Sequence, residues 1–184
     1  GNAAENYNMS VFAGFTAIEV GANGHADDDI TFSNVTATQA ANIQVNGDQA
    51  GKLIVSLADA TGTADVVSIV YGTGKTDTAA VNQAEALEVN GVETLNLSTN
   101  AGPTASDTET VMAAFTGDKL TAINLTGSKF DLSNAATTKA VTIDGSKLTG
   151  GLKVAGNLTV GSTVEGSAKV DTIALGNTGS TYNL

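Results

Sequence analysis

Three segments of this sequence approach an Asp through small residues and leave it with an apolar one. They are Asn23-Gly24-His25-Ala26-Asp27-Asp28-Asp29-Ile30, Thr61-Gly62-Thr63-Ala64-Asp65-Val66-Val67 and Gly166-Ser167-Ala168-Lys169-Val170-Asp171-Thr172-Ile173. Small residues let the backbone turn tightly, so carbonyl oxygens and a carboxylate converge. Calcium asks for six to eight oxygens at ~2.3–2.6 Å, and such turns supply several. Asp27, Asp28, Asp29, Asp65 and Asp171 are therefore candidate calcium ligands. The competing reading makes Asp65 and Asp171 turn residues bonded to their own backbone. For Asp27 to Asp29 it is a solvated run of charge.

Other chemistries fare worse. The chain has no Cys, which removes disulfides, thiolate zinc sites and a Cys nucleophile. His25 is its single His, so a Ser-His-Asp arrangement would have to run through it, and its Asp neighbours favour the charged imidazolium. A glycosidase needs two carboxylates flanking one bond, and no motif marks such a pair here. Gly72-Thr73-Gly74-Lys75-Thr76 echoes a phosphate-binding loop but lacks its first glycine. The sequons at Asn8, Asn34, Asn96, Asn124 and Asn157 are what a Thr- and Asn-rich chain produces by chance. The expectation is that the protein is not an enzyme.

Charge narrows the partners. Eight Lys and no Arg stand against 19 acidic residues, for a net charge of -11 and a pI near 4.2. Phosphate-reading surfaces need clustered Lys and Arg, so nucleic acid and a basic-patch membrane contact are excluded. No apolar run approaches the ~20 residues of a membrane span. A charge-driven partner should be cationic.

The elements that must position these residues read as strands. Charged residues are 15% and aromatics 4% of the 184 residues, while 41% are hydrophobic, which argues against disorder. The second half repeats a phrase of alternating apolar and polar residues that closes on Gly, Asn or Ser. Its copies are Val92 to Thr99, Leu120 to Gly127, Val141 to Gly145, Leu152 to Gly156, Leu158 to Gly161 and Ile173 to Gly176. Period-2 alternation ending in turn residues predicts strands. The first half reads alike at Val11 to Val20, Ile30 to Val35, Ile43 to Val45, Leu53 to Leu57 and Val66 to Tyr71. Leu53 to Leu57 and Val66 to Tyr71 are nearly continuous in apolar residues and predict burial on both faces.

Two short helices are expected. Ser106 and Glu109 have capping-box spacing before Val111-Met112-Ala113-Ala114-Phe115 and a closing Gly117. Ala79 to Leu87 holds good helix formers. The lone Pro, Pro103, marks a loop and a subdomain boundary near residues 100–104. The fold class is all-β, an irregular parallel β-solenoid with a sandwich-like part. Residues 1–184 form one β-rich domain, expected to be a segment of a longer chain because Gly1 is not an initiating Met.

The segments around Asp28 and Asp171 resemble the nonapeptide G-G-x-G-x-D-x-U-x of RTX-like, type I-secreted calcium-binding proteins. Gly166 and Ile173 fit it around Asp171, and Gly24 and Ile30 fit it around Asp28; Ser167, Lys169, Asn23 and Ala26 depart from its remaining glycines. More widely, Gly91 to Ser98, Leu120 to Gly127 and Gly62 to Ile69 resemble the β-rich repeats of bacterial surface-layer proteins of the Campylobacter and Caulobacter type. That resemblance implies a secreted structural protein on the outer face of the outer membrane. It implies self-association into a lattice, assistance by calcium, and attachment to lipopolysaccharide through another part of the chain. The alternative from a different class is a secreted adhesin or glycan-binding module, for which aromatic platforms are scarce.

Overall fold

A computed structural model of the protein describes residues 4–21, 28–72, 81–99, 109–155, 157–174 and 179–183. Two parallel sheets face each other across one core. The nine-stranded sheet runs β1 (Glu5–Asn8), β3 (Ile30–Val35), β5 (Leu53–Leu57), β7 (Gln83–Asn90), β9 (Thr110–Thr116), β11 (Phe130–Leu132), β14 (Leu152–Ala155) and β16 (Thr172–Ala174), with β12 (Ala136–Thr137) beside β9. The eight-stranded sheet runs β2 (Ile18–Val20), β4 (Ile43–Val45), β6 (Val66–Tyr71), β8 (Thr94–Thr99), β10 (Ala122–Gly127), β13 (Thr142–Leu148), β15 (Thr163–Glu165) and β17 (Thr181–Asn183). The chain passes from one sheet to the other and back, and each winding adds one parallel strand to each. This is a β-solenoid.

Its core is a set of columns. Val67, Leu95, Ile123, Ile143 and Val164 stack in register through the eight-stranded sheet, and every one is buried. Ile18, Ile43, Ile69, Leu97 and Leu125 form the neighbouring column. Ile30, Leu53, Leu87 and Phe115 face them from the other sheet. Alternation drives this arrangement, because a strand turns every second side chain inward and identical registers place like residues over like. The buried side chains of both sheets form a single hydrophobic cluster.

Several elements differ from expectation. Val111 to Phe115 is not helical but lies in β9, where Met112 and Phe115 are buried. Ser106 lies outside the described residues; Glu109 directly precedes β9, and its carboxylate meets Lys153 Nζ at 2.5 Å. Of Ala79 to Leu87, the stretch from Gln83 onward is β7, paired with both β5 and β9. In both cases a strand on each side satisfies the backbone, and that outweighs weak helix propensity in a short run. Among the described residues the one α-helical turn is α1 (Ala37–Ala40), closed by a capping box of Thr36 and Gln39. Val11 to Val20 is not one strand: a 3-10 turn occupies Met9–Phe12, and only Ile18–Val20 is extended. Leu158 to Gly161 is a turn with Leu158 fully buried, not a strand.

The runs at β5 and β6 are buried on their inner face only. Ile54 and Val70 are half-buried and Val66 is 41% exposed, because among the described residues no further layer covers these outer positions. Residues 100–104 lie outside the described residues. On either side of them β7 pairs with β9 and β8 with β10, so the stack continues across.

Candidate functional site

The acidic residues singled out by sequence stand at corners, where one winding meets the next. Asp29 directly precedes β3. Its Oδ1 accepts the N–H of Lys52 from the next winding at 2.9 Å, and its carbonyl accepts the N–H of Glu5 from the previous one at 2.9 Å. A Cβ at Gly51 would collide with the Asp28 carbonyl, so only glycine lets these windings close. Asp28 itself is half-buried.

Asp171 repeats the device at the other end of the same sheet. It directly precedes β16, and its Oδ1 accepts the N–H of Leu152 at 2.7 Å and the Ser167 hydroxyl at 2.8 Å. Its Oδ2 accepts the Ser167 N–H at 2.9 Å. Here Gly151 provides the clearance, against the carbonyl of Val170. Carboxylates that accept backbone N–H groups form charge-assisted bonds, which are stronger than neutral ones.

Asp65 sits before β6, in the other sheet. Its N–H donates to Glu93 Oε2 at 2.8 Å, and its carbonyl accepts from the N–H groups of Glu93 and Thr94 at 3.1 Å. Its Oδ2 is buried without a hydrogen-bond partner. Close by, Lys119 Nζ lies 3.6 Å from Glu93 Oε1 and donates to the carbonyls of Gly62, at 3.2 Å, and Ala60. Two carbonyls and a carboxylate are the ligand types calcium takes. Here the chain's own ammonium holds them. A groove of about 470 Å³ runs beside this corner, with Thr36, Asp59, Thr61 and Asp65 in its lining.

The same pattern recurs at positions that sequence reading passed over. Asp118 Oδ1 accepts the Gly91 N–H at 2.6 Å, and that bond holds its carboxyl below the usual carboxylate range. Asp48 accepts the N–H of Asn82 at 2.8 Å, Asn82 that of Val111 at 3.0 Å, and Thr99 that of Ser128 at 2.7 Å. Burial works to raise the Asp131 carboxyl, but the Ser133 hydroxyl and N–H and the Lys153 ammonium together hold it below the usual range. Asp48, Asn82, Thr99 and Asp118 are short polar side chains at or near strand ends, and the partner of each is a backbone N–H one winding away, which sequence does not show; Asp131 bonds locally to Ser133.

Of the five predicted ligands, the four among the described residues, Asp28, Asp29, Asp65 and Asp171, do not converge on one point. Asp29 and Asp171 are six strands apart in the sheet, which is roughly 30 Å at ~4.8 Å per strand. Asp65 belongs to the opposite sheet, and Asp27, His25 and the segment 73–76 lie outside the described residues. Among the described residues, no group of three or more acidic or His side chains converges. Asp29 and Asp171 are corner staples, and with Asp28 and Asp65 they do not make a cage. No helix among the described residues is long and apolar enough to cross a membrane. No protein family, curated protein or solved structure matches this chain.

Proposed function

We propose that this chain is a structural, non-enzymatic segment of a self-associating bacterial surface lattice, secreted and displayed outside the outer membrane. One observation carries the reading: the corner carboxylates of Asp29, Asp48, Asp118 and Asp171 are committed to neighbouring backbone N–H groups. A chain that uses its polar residues to fasten winding to winding is built as a rod. Its outer face supports the same reading. Ser68, Asn96 and Asn124 stand in one column, with Asn96 donating to Ser68 Oγ at 3.2 Å and Asn124 to Asn96 Oδ1 at 2.8 Å. Beside them Thr94, Ala122, Thr142, Thr163 and Thr181 form a second column. The first column continues into Asp144 and Glu165, so the ladders of small uncharged residues cover part of this face, and that part suits side-by-side packing of rods.

Calcium enters this proposal as a weak, assisting ion near Asp27 to Asp29, drawn by the net charge of -11. Attachment to lipopolysaccharide is assigned to another part of the protein. The test is electron microscopy of the purified chain, with millimolar calcium or with chelator. Ordered planar arrays support the proposal; a dispersed monomer at every concentration removes it. A second reading, glycan binding, is favoured by the aromatic grouping of Tyr7, Phe12, Phe15 and Phe32 at one end. Selective binding on a glycan array is its test.

A further inference from the structure

The sequence has three Asn-Gly pairs, and two of them sit in the same tripeptide, Val45-Asn46-Gly47 and Val89-Asn90-Gly91. The third, Asn23-Gly24, lies outside the described residues. An Asn followed by Gly can react with its own backbone, because glycine leaves the next peptide nitrogen unhindered. That nitrogen, once its proton passes to solvent, attacks Asn Cγ. The Cγ–Nδ2 bond breaks, ammonia leaves, and a succinimide ring closes. Water then opens either carbonyl of the ring and gives aspartate or isoaspartate. Local sequence favours Asn46 and Asn90 alike, so any difference between them belongs to the fold.

Burial does not separate the pairs: in each the Asn is half-buried and the Gly buried. Hydrogen bonding does. Asn90 is the last residue of β7 and stands in register with Ser56 of β5. Gly91 is set at φ +77°, and its N–H donates to Asp118 Oδ1 at 2.6 Å. Deprotonating that nitrogen would break a charge-assisted bond and place an amide anion beside a carboxylate. Asn46 has no such guard. It follows β4 instead of lying in it, and among the described residues no group accepts the Gly47 N–H. Its side chain is tied through Nδ2 alone, which donates to Glu19 Oε1 at 2.6 Å, while Oδ1 is buried without a partner.

We propose that Asn46 is a modification site at which the folded chain deamidates through the Gly47 nitrogen, and that Asp118 protects Asn90 from the same reaction. The product exchanges the Nδ2 donor for an oxygen. It loses the bond to Glu19, sets two carboxylates against each other, and leaves a buried oxygen still without a donor. The lost bond ties the β2 winding to the β4 winding, so the reaction loosens one end of the stack.

The test ages the purified chain in warm, mildly alkaline buffer. Peptide mapping by mass spectrometry separates Asn, aspartate and isoaspartate at both positions. In the folded chain position 46 should convert at least about tenfold faster than position 90, the size of one hydrogen bond to a charged group. In concentrated denaturant the two rates should converge, since the tripeptides are identical. Asp118→Ala, shown by circular dichroism to keep its fold, should speed conversion at 90 and leave 46 unchanged. Asp118→Asn, which retains an acceptor oxygen, should leave 90 slow. Where Asp118→Ala does not fold, the two positions in the unaltered chain decide alone. Equal conversion at 46 and 90 in the folded chain overturns the proposal. So does a difference that persists in denaturant, or an Asn46 that stays intact in the fold while both positions react in denaturant.

Discussion

At the scale of single residues, the carboxylates are fasteners, and their removal should be felt as lost stability. Asp171 accepts three hydrogen bonds, two from backbone N–H groups. Asp171→Ala leaves a part-buried Leu152 N–H without its acceptor, and stability should fall by about 1–3 kcal/mol in urea unfolding. Asp171→Asn keeps an acceptor and should lose less. Asp118 brings a pH signature. The Gly91 N–H holds its pKa below the unfolded value, so its contribution is full above about pH 3.9 and is lost as pH falls through the folded value. Asp118→Asn should lower the melting temperature at pH 7 and make no difference where the native carboxyl is already protonated. Lys153 runs the other way: its bond to Glu109 raises its pKa, so its contribution holds below about pH 10.4 and fades as pH rises through the folded value.

At the scale of elements, the inner columns hold the stack together and the outer ones tune it. Ile123 is buried between Leu95 and Ile143. Ile123→Ala should cost about 2–5 kcal/mol by chemical denaturation. The half-buried outer Ile54→Ala should cost well under that. On the outer face Asn124 donates to Asn96 and stands in register with Asp144. Asn124→Asp removes that donor and opposes two carboxylates, for a loss of roughly 1 kcal/mol that added salt should reduce. The column explains why strand phrases repeat in sequence at irregular intervals. The strands Thr94–Thr99 and Ala122–Gly127 belong to one sheet, whereas Leu152–Ala155 and Thr172–Ala174 belong to the other. Intervals counted across both sheets mix half-windings with whole ones.

At the scale of the whole molecule, charge is the controlling variable. Weak calcium binding with an affinity on the order of 10⁻⁴–10⁻³ M would add about 1–2 kcal/mol at ~1–2 mM ion. A chain of this length should then melt a few degrees higher in calcium than in magnesium or chelator, with Asp28→Ala reducing the difference. Identical melting in all three buffers would remove calcium while leaving the corner staples as they are.

Much of this was legible in the residues themselves. Alternation at Ile30–Val35, Ile43–Val45 and Thr94–Thr99 determined strands, since a period of two turns one row inward wherever the strand pairs. The polar residue ahead of each apolar run determined where the corners stand. The sequence did not disclose that Met112 and Phe115 point inward from a strand, because a spacing of three with a plausible cap also suits a helix. Flanking strands on both sides decided it. Nor did it disclose whether Asp29 and Asp171 face an ion or an amide. Their partners, Lys52 and Leu152, lie 23 and 19 residues away, and only the winding length sets them opposite. Local backbone preference acts within a few residues, whereas the hydrogen bonds that decide a corner's chemistry form between windings. The sequence alone determined the strand, the turn and the excess of negative charge. Tertiary structure decided which strands share a sheet and which backbone N–H groups the corner carboxylates of Asp29 and Asp171 hold.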